Sequence, residues 1–221
     1  MTDVLGDRLR RKLVARRGRL HAFPDLVPER SAVVVIDATE SFVRGLPDGA
    51  AACTAIDRLT GAARSARTIV HWIHPTPPAT WPAAAAATAL LGSAQVDRHA
   101  REMAAGGPGA RIDPSLTVAP ADRHAGKRGY SAFFPGAGPL GPDLAKAGID
   151  TVILAGFLTD TCVEASARDA FESGFRVILC ADGCAANDPV SHRHCLRLLA
   201  RAYADVRPAA EIAGLLGAGR S

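Results

Sequence analysis

Asp37 and Cys162 are the two residues whose placement in this sequence first points to chemistry. Asp37 directly follows an apolar, β-branched run at residues 32–36, and Cys162 lies one short turn beyond a second such run at residues 151–155. If both runs are parallel strands, their carboxyl ends share one edge of a sheet, so the two side chains are expected to lie together. A cysteine at a helix start feels the positive end of the helix dipole, which favours the thiolate. The pair therefore predicts nucleophilic catalysis by a thiol.

The turn before Cys162 has the sequence GFLTDT and is predicted to connect a strand to a helix. Thr159, Asp160 and Thr161 occupy positions where side chains commonly cap a helix. Such a turn also leaves backbone N–H groups pointing beyond the sheet, where they could stabilise an oxyanion. Placement alone leaves a second interpretation open, in which Asp37 is a turn residue and Cys162 is simply buried in the core.

The elements that must position these residues follow from the apolar runs. Four runs are predicted strands, at residues 32–36, 68–73, 151–155 and 176–180, with weaker candidates at 116–119 and 204–207. Helical patterns lie at residues 50–66, 139–148, 162–173, 191–203 and 209–216. Continuous rather than alternating apolar runs are typical of strands covered on both faces. Their alternation with helices predicts a single α/β domain of three layers, α/β/α, around a mainly parallel, Rossmann-like sheet of six strands.

Two segments stand apart from this pattern. Residues 1–30 are rich in arginine and predict an N-terminal helical extension, because Val4, Leu5, Leu9 and Leu13 recur at nearly helical spacing. Residues 75–109 hold several prolines, an alanine run and a predicted helix around 96–105, and interrupt the domain that spans residues 31–221. Because this excursion begins beyond the end of a strand, it is either a lid or wall of the site or a contact between subunits.

Composition limits the classes of protein to consider. The chain has 221 residues, a net charge of +4 and 48% hydrophobic residues, which suits one globular domain. Its five cysteines have no disulfide-framework spacing and are expected to be reduced. No aromatic residues interleave with the N-terminal arginines, so nucleic acid is not a predicted partner. No run is long enough to cross a membrane and no signal peptide is recognised, so the prediction is a cytoplasmic protein.

Three motifs resemble those of the isochorismatase-like cysteine hydrolases, the superfamily of nicotinamidases and N-carbamoylsarcosine amidase. They are SAVVVIDATESF at residues 31–42, KRGYSAFFPG at residues 127–136, and LAGFLTDTCVEASARDAFESGFRVILCADGCAA at residues 154–186. They occur in the family's order and spacing, and the resemblance extends over roughly residues 31–216. The second motif carries Lys127, one of only three lysines among 26 basic residues, which makes a lysine at that position informative.

The resemblance implies roles for individual residues. Asp37 takes the place of the general base, Lys127 that of the conserved lysine and Cys162 that of the nucleophile. The family usually has a cis peptide before the catalytic turn, which would fall between Phe157 and Leu158 and aim the N–H groups of Leu158 and Cys162 at the substrate oxygen. Aromatic residues near the motif ends are candidate walls of a substrate pocket. They are Phe42, Trp72, Tyr130, Phe133 and Phe157.

Two departures from family members bear on the ligands. The family often has a glutamine two places after the aspartate, where this chain has Thr39, so a polar contact near the pocket is expected to be missing. Nicotinamidases bind a metal through an Asp-x-His element, which we do not find here. His71 and His74 lie near a strand end, but strand alternation is expected to separate their side chains. We therefore predict no metal and no cofactor.

These observations predict a hydrolase that cleaves a non-peptide C–N bond, of an amide, carbamoyl or ureido group, through a thioester on Cys162. Its partner is a small-molecule amide, and family members are commonly homo-oligomers, so a homodimer or homotetramer is expected. Two alternatives remain. An isochorismatase-type enzyme would cleave a vinyl ether with Asp37 as acid and would need no thiol. A non-catalytic assembly module would need none of the three residues.

Overall fold

The computed structural model describes residues 4–218, so the outermost ends of the predicted segments 1–30 and 31–221 lie outside the described residues. Six strands form the sheet: β1 (Ser31–Ile36), β2 (Ile69–Pro75), β3 (Arg123–Lys127), β4 (Thr151–Phe157), β5 (Arg176–Ala185) and β6 (Asp205–Arg207). All neighbouring strands pair in parallel, in the order β3-β2-β1-β4-β5-β6. The predicted six-stranded parallel α/β sheet is confirmed.

The helices connect the strands and cover the sheet. They are α1 (Asp7–Arg17), α2 (Glu40–Val43), α3 (Gly49–Ser65), α4 (Ala84–Leu91), α5 (Ser93–Glu102), α6 (Leu140–Lys146), α7 (Glu164–Glu172), α8 (Pro189–Ala202) and α9 (Ala209–Ala218). One core packs α1, α6, α7 and α8 on one face of the sheet, and a second core packs α3 and α9 on the other. Three layers result, with alternate side chains of β1 facing the two cores.

Burial on both faces of the sheet explains why the central strands could be predicted from the sequence. Every residue of β1 and β4 is buried, as continuous apolar runs predict. The predicted boundaries of these strands agree with the structure to within two residues. Helix α1 lies where the arginine-rich N-terminal segment predicted a helix, and Leu13 is its buried residue.

One predicted strand is wrong, and one strand was missed. Residues 116–119 form a loop, where Thr117 is held by the Asp57 carboxylate and Ala119 by Asp122. The edge strand is β3 instead, whose sequence RHAGK is mostly polar and exposed. An edge strand needs no apolar face on its open side, so hydrophobic pattern could not reveal it. Within residues 4–218, no helix combines the length and apolarity that crossing a membrane requires.

Candidate active site

Asp37 lies immediately after β1, at the carboxyl edge of the sheet. Its backbone has a φ of 50°, in the left-handed region that aspartate tolerates better than most residues. The Asp37 amide donates a hydrogen bond to the Ile73 carbonyl of the neighbouring strand, which holds this unusual residue in place. The side chain is completely buried. The strand end therefore fixes both the position of the carboxylate and its isolation from water.

Gly156 permits the close approach of β4 to β1 next to Asp37. It has a φ of 119°, and a Cβ at this position would overlap the backbone of Ile36. Only glycine combines this conformation with this contact. One residue further along the chain, the peptide bond between Phe157 and Leu158 is cis. Both features lie in the segment that leads from β4 to the cysteine.

Cys162 lies in a single π-helical turn, Thr159–Val163, between β4 and α7. It therefore precedes α7 by two residues. The sequence-based prediction, that Cys162 opens this helix, is wrong. The capping prediction is also wrong, because no side chain caps the turn or α7. Thr159 is instead buried, and its hydroxyl pairs with the His192 ring at 2.8 Å.

Lys127 ends the edge strand β3, and its ammonium group joins the other two residues. The Nζ atom lies 2.9 Å from Asp37 Oδ2 and 3.4 Å from Cys162 Sγ, and it donates to the Gly129 carbonyl at 2.8 Å. Exposed fractions are 2% for Lys127, 0% for Asp37 and 6% for Cys162. Three reactive side chains that are distant in sequence thus meet in one enclosed cluster.

The charges of this cluster set the protonation states. Burial raises the pKa of Asp37, against the opposing effect of Lys127. Burial acts to lower the pKa of Lys127, but the charge of Asp37 outweighs it and the pKa is raised, so the ammonium stays protonated. Burial and the Asp37 carboxylate raise the pKa of Cys162 to about 12, and Lys127 only partly offsets them. Burial and the Asp37 charge therefore oppose the thiolate that a helix start was expected to favour.

A cavity of about 400 Å³ has Gly129, whose carbonyl accepts the hydrogen bond from Lys127, in its wall. Its lining includes Tyr130, as predicted for the substrate pocket, and also residues that the sequence did not single out. These are Trp81, Pro82, Ala83, Arg128, Gly129, Ser131, Phe134, Ala165 and Asp169. The signal that could have found Trp81 is a lone tryptophan in a run of prolines and alanines. A larger cavity, of about 710 Å³ between α1 and α8, shares no lining residue with this one.

Three predicted pocket residues belong to the core instead. Trp72 is buried against α3 and donates its indole N–H to Asp122. Phe133 packs edge-to-face on Phe175, and Phe157 is completely buried between β4 and α3. Trp72 and Phe157 neighbour the motifs in sequence, but strand alternation turns their side chains into one core. Phe133 lies in the loop between β3 and α6 and packs into the other core. Phe42 is only partly buried and packs against the α3 side.

The excursion at residues 75–109 contributes a wall of the cavity through its first part. The Trp81 indole donates to the Thr76 carbonyl at 2.9 Å, and its ring packs edge-to-face on Tyr130 at 5.3 Å. Thr76 in turn donates its backbone N–H and its hydroxyl to the Lys127 carbonyl. The aromatic wall is thus tied by hydrogen bonds to the strand that carries the lysine. The predicted helix around 96–105 is α5, which ends earlier, at Glu102.

The end of the excursion continues into a loop that covers the residues after Asp37. Thr39 pairs with Ile112 in an isolated antiparallel bridge, and the Glu40 amide donates to the Arg111 carbonyl. The Arg111 guanidinium also donates two hydrogen bonds to the Glu40 carboxylate, from Nε to Oε1 at 2.7 Å and from Nη2 to Oε2 at 3.1 Å. Thr39 is buried, and its hydroxyl finds no hydrogen-bond partner within residues 4–218.

Histidines near the sheet edge do not assemble a metal centre. His74 pairs with His124 at 3.0 Å, and His71 is buried on the opposite face, as strand alternation predicts. Burial lowers the pKa of His71 to about 4, so its ring is neutral. In the described part of the chain, no three metal-ligating side chains cluster.

A parallel three-layer α/β fold with a buried carboxylate, ammonium and thiol at the carboxyl edge of its sheet defines a class of small hydrolase-like domains. The family model described as Isochorismatase domain matches residues 31–211. The chain therefore belongs to the isochorismatase family.

Solved structures share this fold. A cysteine hydrolase from Pseudomonas syringae pv. phaseolicola 1448A superposes with a TM-score of 0.77 at 23% identity, over 90% of this chain and 97% of that one. N-carbamoylsarcosine amidase from Thermoplasma acidophilum superposes with a TM-score of 0.66 at 25% identity, over 81% of this chain and 96% of that one. The fold is shared along nearly the whole length of both proteins.

Sequence relatives match over shorter segments. The maleamate amidohydrolase of Pseudomonas putida is 39% identical over 79 residues, which cover 36% of each chain. The uncharacterized isochorismatase family protein YecD of Escherichia coli O157:H7 is 34% identical over 90 residues, or 41% of this chain and 47% of that protein. The matched segments thus cover less than half of either relative.

Proposed function

We propose that this protein hydrolyses a non-peptide C–N bond of a small molecule, of the amide, carbamoyl or ureido type, through a thioester on Cys162. The observation that carries the proposal is the position of the Lys127 ammonium, in contact with both the Asp37 carboxylate and the Cys162 sulfur in a buried cluster. A scaffold has no use for an enclosed base and nucleophile beside an open cavity. Relatives named as maleamate amidohydrolase and nicotinamidase are consistent with this chemistry.

The first half-reaction begins from a neutral thiol. Free thiol and free aspartate differ by about 4.6 pK units, so an unassisted proton transfer from Cys162 to Asp37 costs about 6 kcal/mol. Burial raises both pKa values, and the charge of Asp37 further opposes a free thiolate in the unliganded site. The transfer is therefore coupled to attack: as sulfur bonds to the carbonyl carbon, its proton passes to Asp37 and the carbonyl π electrons move to oxygen.

Lys127 stabilises the charge that moves through the site. Its ammonium pairs with the Asp37 carboxylate before the transfer and faces the sulfur as the S–C bond forms. The backbone N–H groups of Leu158 and Cys162 are the proposed donors to the tetrahedral oxyanion. When the intermediate collapses, the C–N bond breaks and the leaving amine or ammonia takes the proton from Asp37. A thioester remains on Cys162.

Water completes the cycle. Asp37, again a carboxylate, takes a proton from a water molecule whose oxygen attacks the thioester carbon. The C–S bond then breaks, and the sulfur recovers the proton from Asp37. The net reaction adds one water to the amide and releases an acid and an amine. No oxidant or reductant is required.

An ammonia-release screen tests the proposal. Wild-type protein is offered primary amides, carbamoyl and ureido compounds, and intact mass spectrometry follows an acyl adduct. We expect turnover that Cys162→Ala abolishes, and an adduct located on Cys162. Cys53→Ala is the matched control, because Cys53 is also buried but lies in α3 on the other face of the sheet.

The same variants separate the rival chemistry. Hydrolysis of isochorismate needs Asp37 as an acid and no thiol. If Cys162→Ala kept near-wild-type turnover and pyruvate appeared from isochorismate, the vinyl-ether mechanism would replace the one proposed. A Cys162 that resists all thiol probes in a protein without turnover would instead support an assembly role.

A further inference from the structure

The cavity beside Tyr130, which we call the acyl pocket and define by Trp81, Pro82, Ala83, Tyr130, Phe134 and Ala165, carries information about the substrate. We propose that it receives the acyl part of the amide, and that preferred substrates carry a neutral, apolar acyl group about the size of one ring. The inference rests on the proposed function and specifies its substrate class.

One hydrogen bond links the wall of the acyl pocket to the reactive cluster. The Gly129 carbonyl, in its wall, accepts a hydrogen bond from Lys127 Nζ. Ala165, three residues after Cys162, also lies in the wall of the pocket. Tyr130 is close enough to feel both charges: burial and the Cys162 sulfur raise the pKa of its phenol, while Lys127 opposes the shift. A carbonyl carbon at Cys162 therefore leaves its acyl substituent in this pocket.

The lining favours apolar groups. The six residues that define the pocket present aromatic, proline and alanine surfaces, and burial of such surface is the main source of affinity in small-molecule sites. Trp81 is held against Tyr130 by its hydrogen bond to Thr76, so the wall is formed before a ligand arrives. A preformed apolar wall costs little ordering entropy on binding.

The charges around the pocket disfavour an anionic acyl group. Of the described residues that line it, Arg128 is the one cation, and its guanidinium is exposed and donates to the Gly136 carbonyl at 2.8 Å. The nearby ammonium of Lys127 is already engaged by Asp37 and Gly129. Asp169 adds a negative charge to the lining. Because Arg128 and Asp169 are of opposite charge, the lining offers no net charge to repay the water that a carboxylate on the acyl group would lose.

The size of the pocket sets an upper limit. Its volume of about 400 Å³ lies at the small end of the range for ligand pockets. A single aromatic ring or a short branched chain fits within such a space, whereas acetamide leaves nearly all of it empty. The pocket therefore has room for an acyl group the size of one ring.

Steady-state kinetics with a set of amides tests the inference. The probes are benzamide, isobutyramide and acetamide, with maleamate and N-carbamoylglycine as anionic counterparts. We expect kcat/KM for benzamide to exceed that for acetamide and for maleamate by about tenfold or more, since modest changes of apolar contact are worth that much. A higher kcat/KM for either anionic amide would overturn the inference and would indicate that Arg128 binds a carboxylate.

Variants locate the effect in the pocket. Phe134→Ala is expected to lower the benzamide-to-acetamide ratio of kcat/KM by about tenfold, mainly through KM, and its half-exposed position makes folding safe. Phe171→Ala is the matched control, because Phe171 is a similarly exposed aromatic that packs on Tyr203, outside the pocket. An equal fall of the ratio in both variants would contradict the assignment.

Calorimetry with Cys162→Ala separates this inference from the proposed function. Binding of benzamide that Phe134→Ala weakens, in a protein whose wild type releases no ammonia, would support the pocket and refute the hydrolysis. Amide hydrolysis without preference for benzamide would support the proposed hydrolysis and refute the acyl pocket. Tighter binding of maleamate than of benzamide would refute the inference whatever the turnover.

Discussion

Lys127 Nζ lies 2.9 Å from Asp37 Oδ2, with both side chains essentially removed from solvent. The two residues come from strands β3 and β1, which are separated in the sheet by β2. Two opposite charges in such a place stabilise each other only as a pair, because either one alone would be buried without compensation. The contact therefore links the stability of the fold to the chemistry of the site.

Removing one partner of this pair is expected to destabilise the protein strongly. Lys127→Met leaves the Asp37 charge buried and should lower the free energy of unfolding by about 3–5 kcal/mol, measured by urea denaturation. The double variant Asp37→Asn with Lys127→Met should recover much of that loss without recovering activity. Arg30→Ala breaks an exposed pair with Asp150 and serves as control, with an expected cost below about 1 kcal/mol. Equal costs for Lys127→Met and Arg30→Ala would argue against a buried ion pair.

Alkylation should report the raised pKa of Cys162. Because that pKa is about 12, the rate of iodoacetamide labelling at Cys162 should rise continuously from pH 7 to pH 10, as followed by peptide mass spectrometry. Asp37→Asn removes a charge that disfavours the thiolate, so labelling at pH 8 should become faster although catalysis is lost. A rate that levels off near pH 8 in the wild type would show a preformed thiolate instead.

The contact between Glu40 and Arg111 should hold the loop that covers the residues after Asp37. Arg111→Ala breaks an exposed pair, so global stability should fall by less than about 1 kcal/mol. Local opening should increase, with faster amide hydrogen exchange in residues 104–113 and a lower kcat/KM. Arg44→Ala is the control, since Arg44 reaches the same carboxylate only at 3.8 Å. Unchanged exchange in Arg111→Ala would mean that backbone contacts alone hold the loop.

Acid should weaken the attachment of the N-terminal segment at Asp205. Burial acts to raise the pKa of Asp205, but hydrogen bonds from His21 and the Phe23 amide, with the charge of Arg207, outweigh it and lower the pKa. A carboxyl with a depressed folded-state pKa adds stability that is present above the unfolded value of about 3.9 and is lost as the pH falls through the folded value. The free energy of unfolding of Asp205→Asn should therefore depend less on pH below about 4 than that of the wild type.

Chemical denaturation between pH 2 and pH 6 measures this dependence. Asp150→Asn is the control, because Asp150 forms an exposed pair with Arg30 and should leave the slope nearly unchanged. Parallel curves for the wild type and Asp205→Asn would contradict the role assigned to Asp205.

The central fold was predictable because its signal is local. Strands β1 and β4 are apolar along their whole length, and α3 and α8 follow from apolar spacing and glycine or proline boundaries. Strand β3 was missed because an edge strand is not required to be apolar. Trp72 and Phe157 were assigned to the pocket because proximity in sequence to a motif does not say which face of the sheet a side chain occupies. Phe133 was assigned there because such proximity does not say how a loop residue packs.

The sequence by itself determined the parallel α/β architecture and the residues Asp37, Lys127 and Cys162, because motif order and apolar runs are properties of the chain. Only the tertiary structure decided that the pKa of the Cys162 thiol is raised, since that pKa depends on burial and on a carboxylate 125 positions away in the chain. It also decided that Trp81 and Tyr130 share a wall, because these residues meet only when the excursion folds back on β3. The charge and the shape of a site depend on which residues surround it, and the fold determines which residues those are.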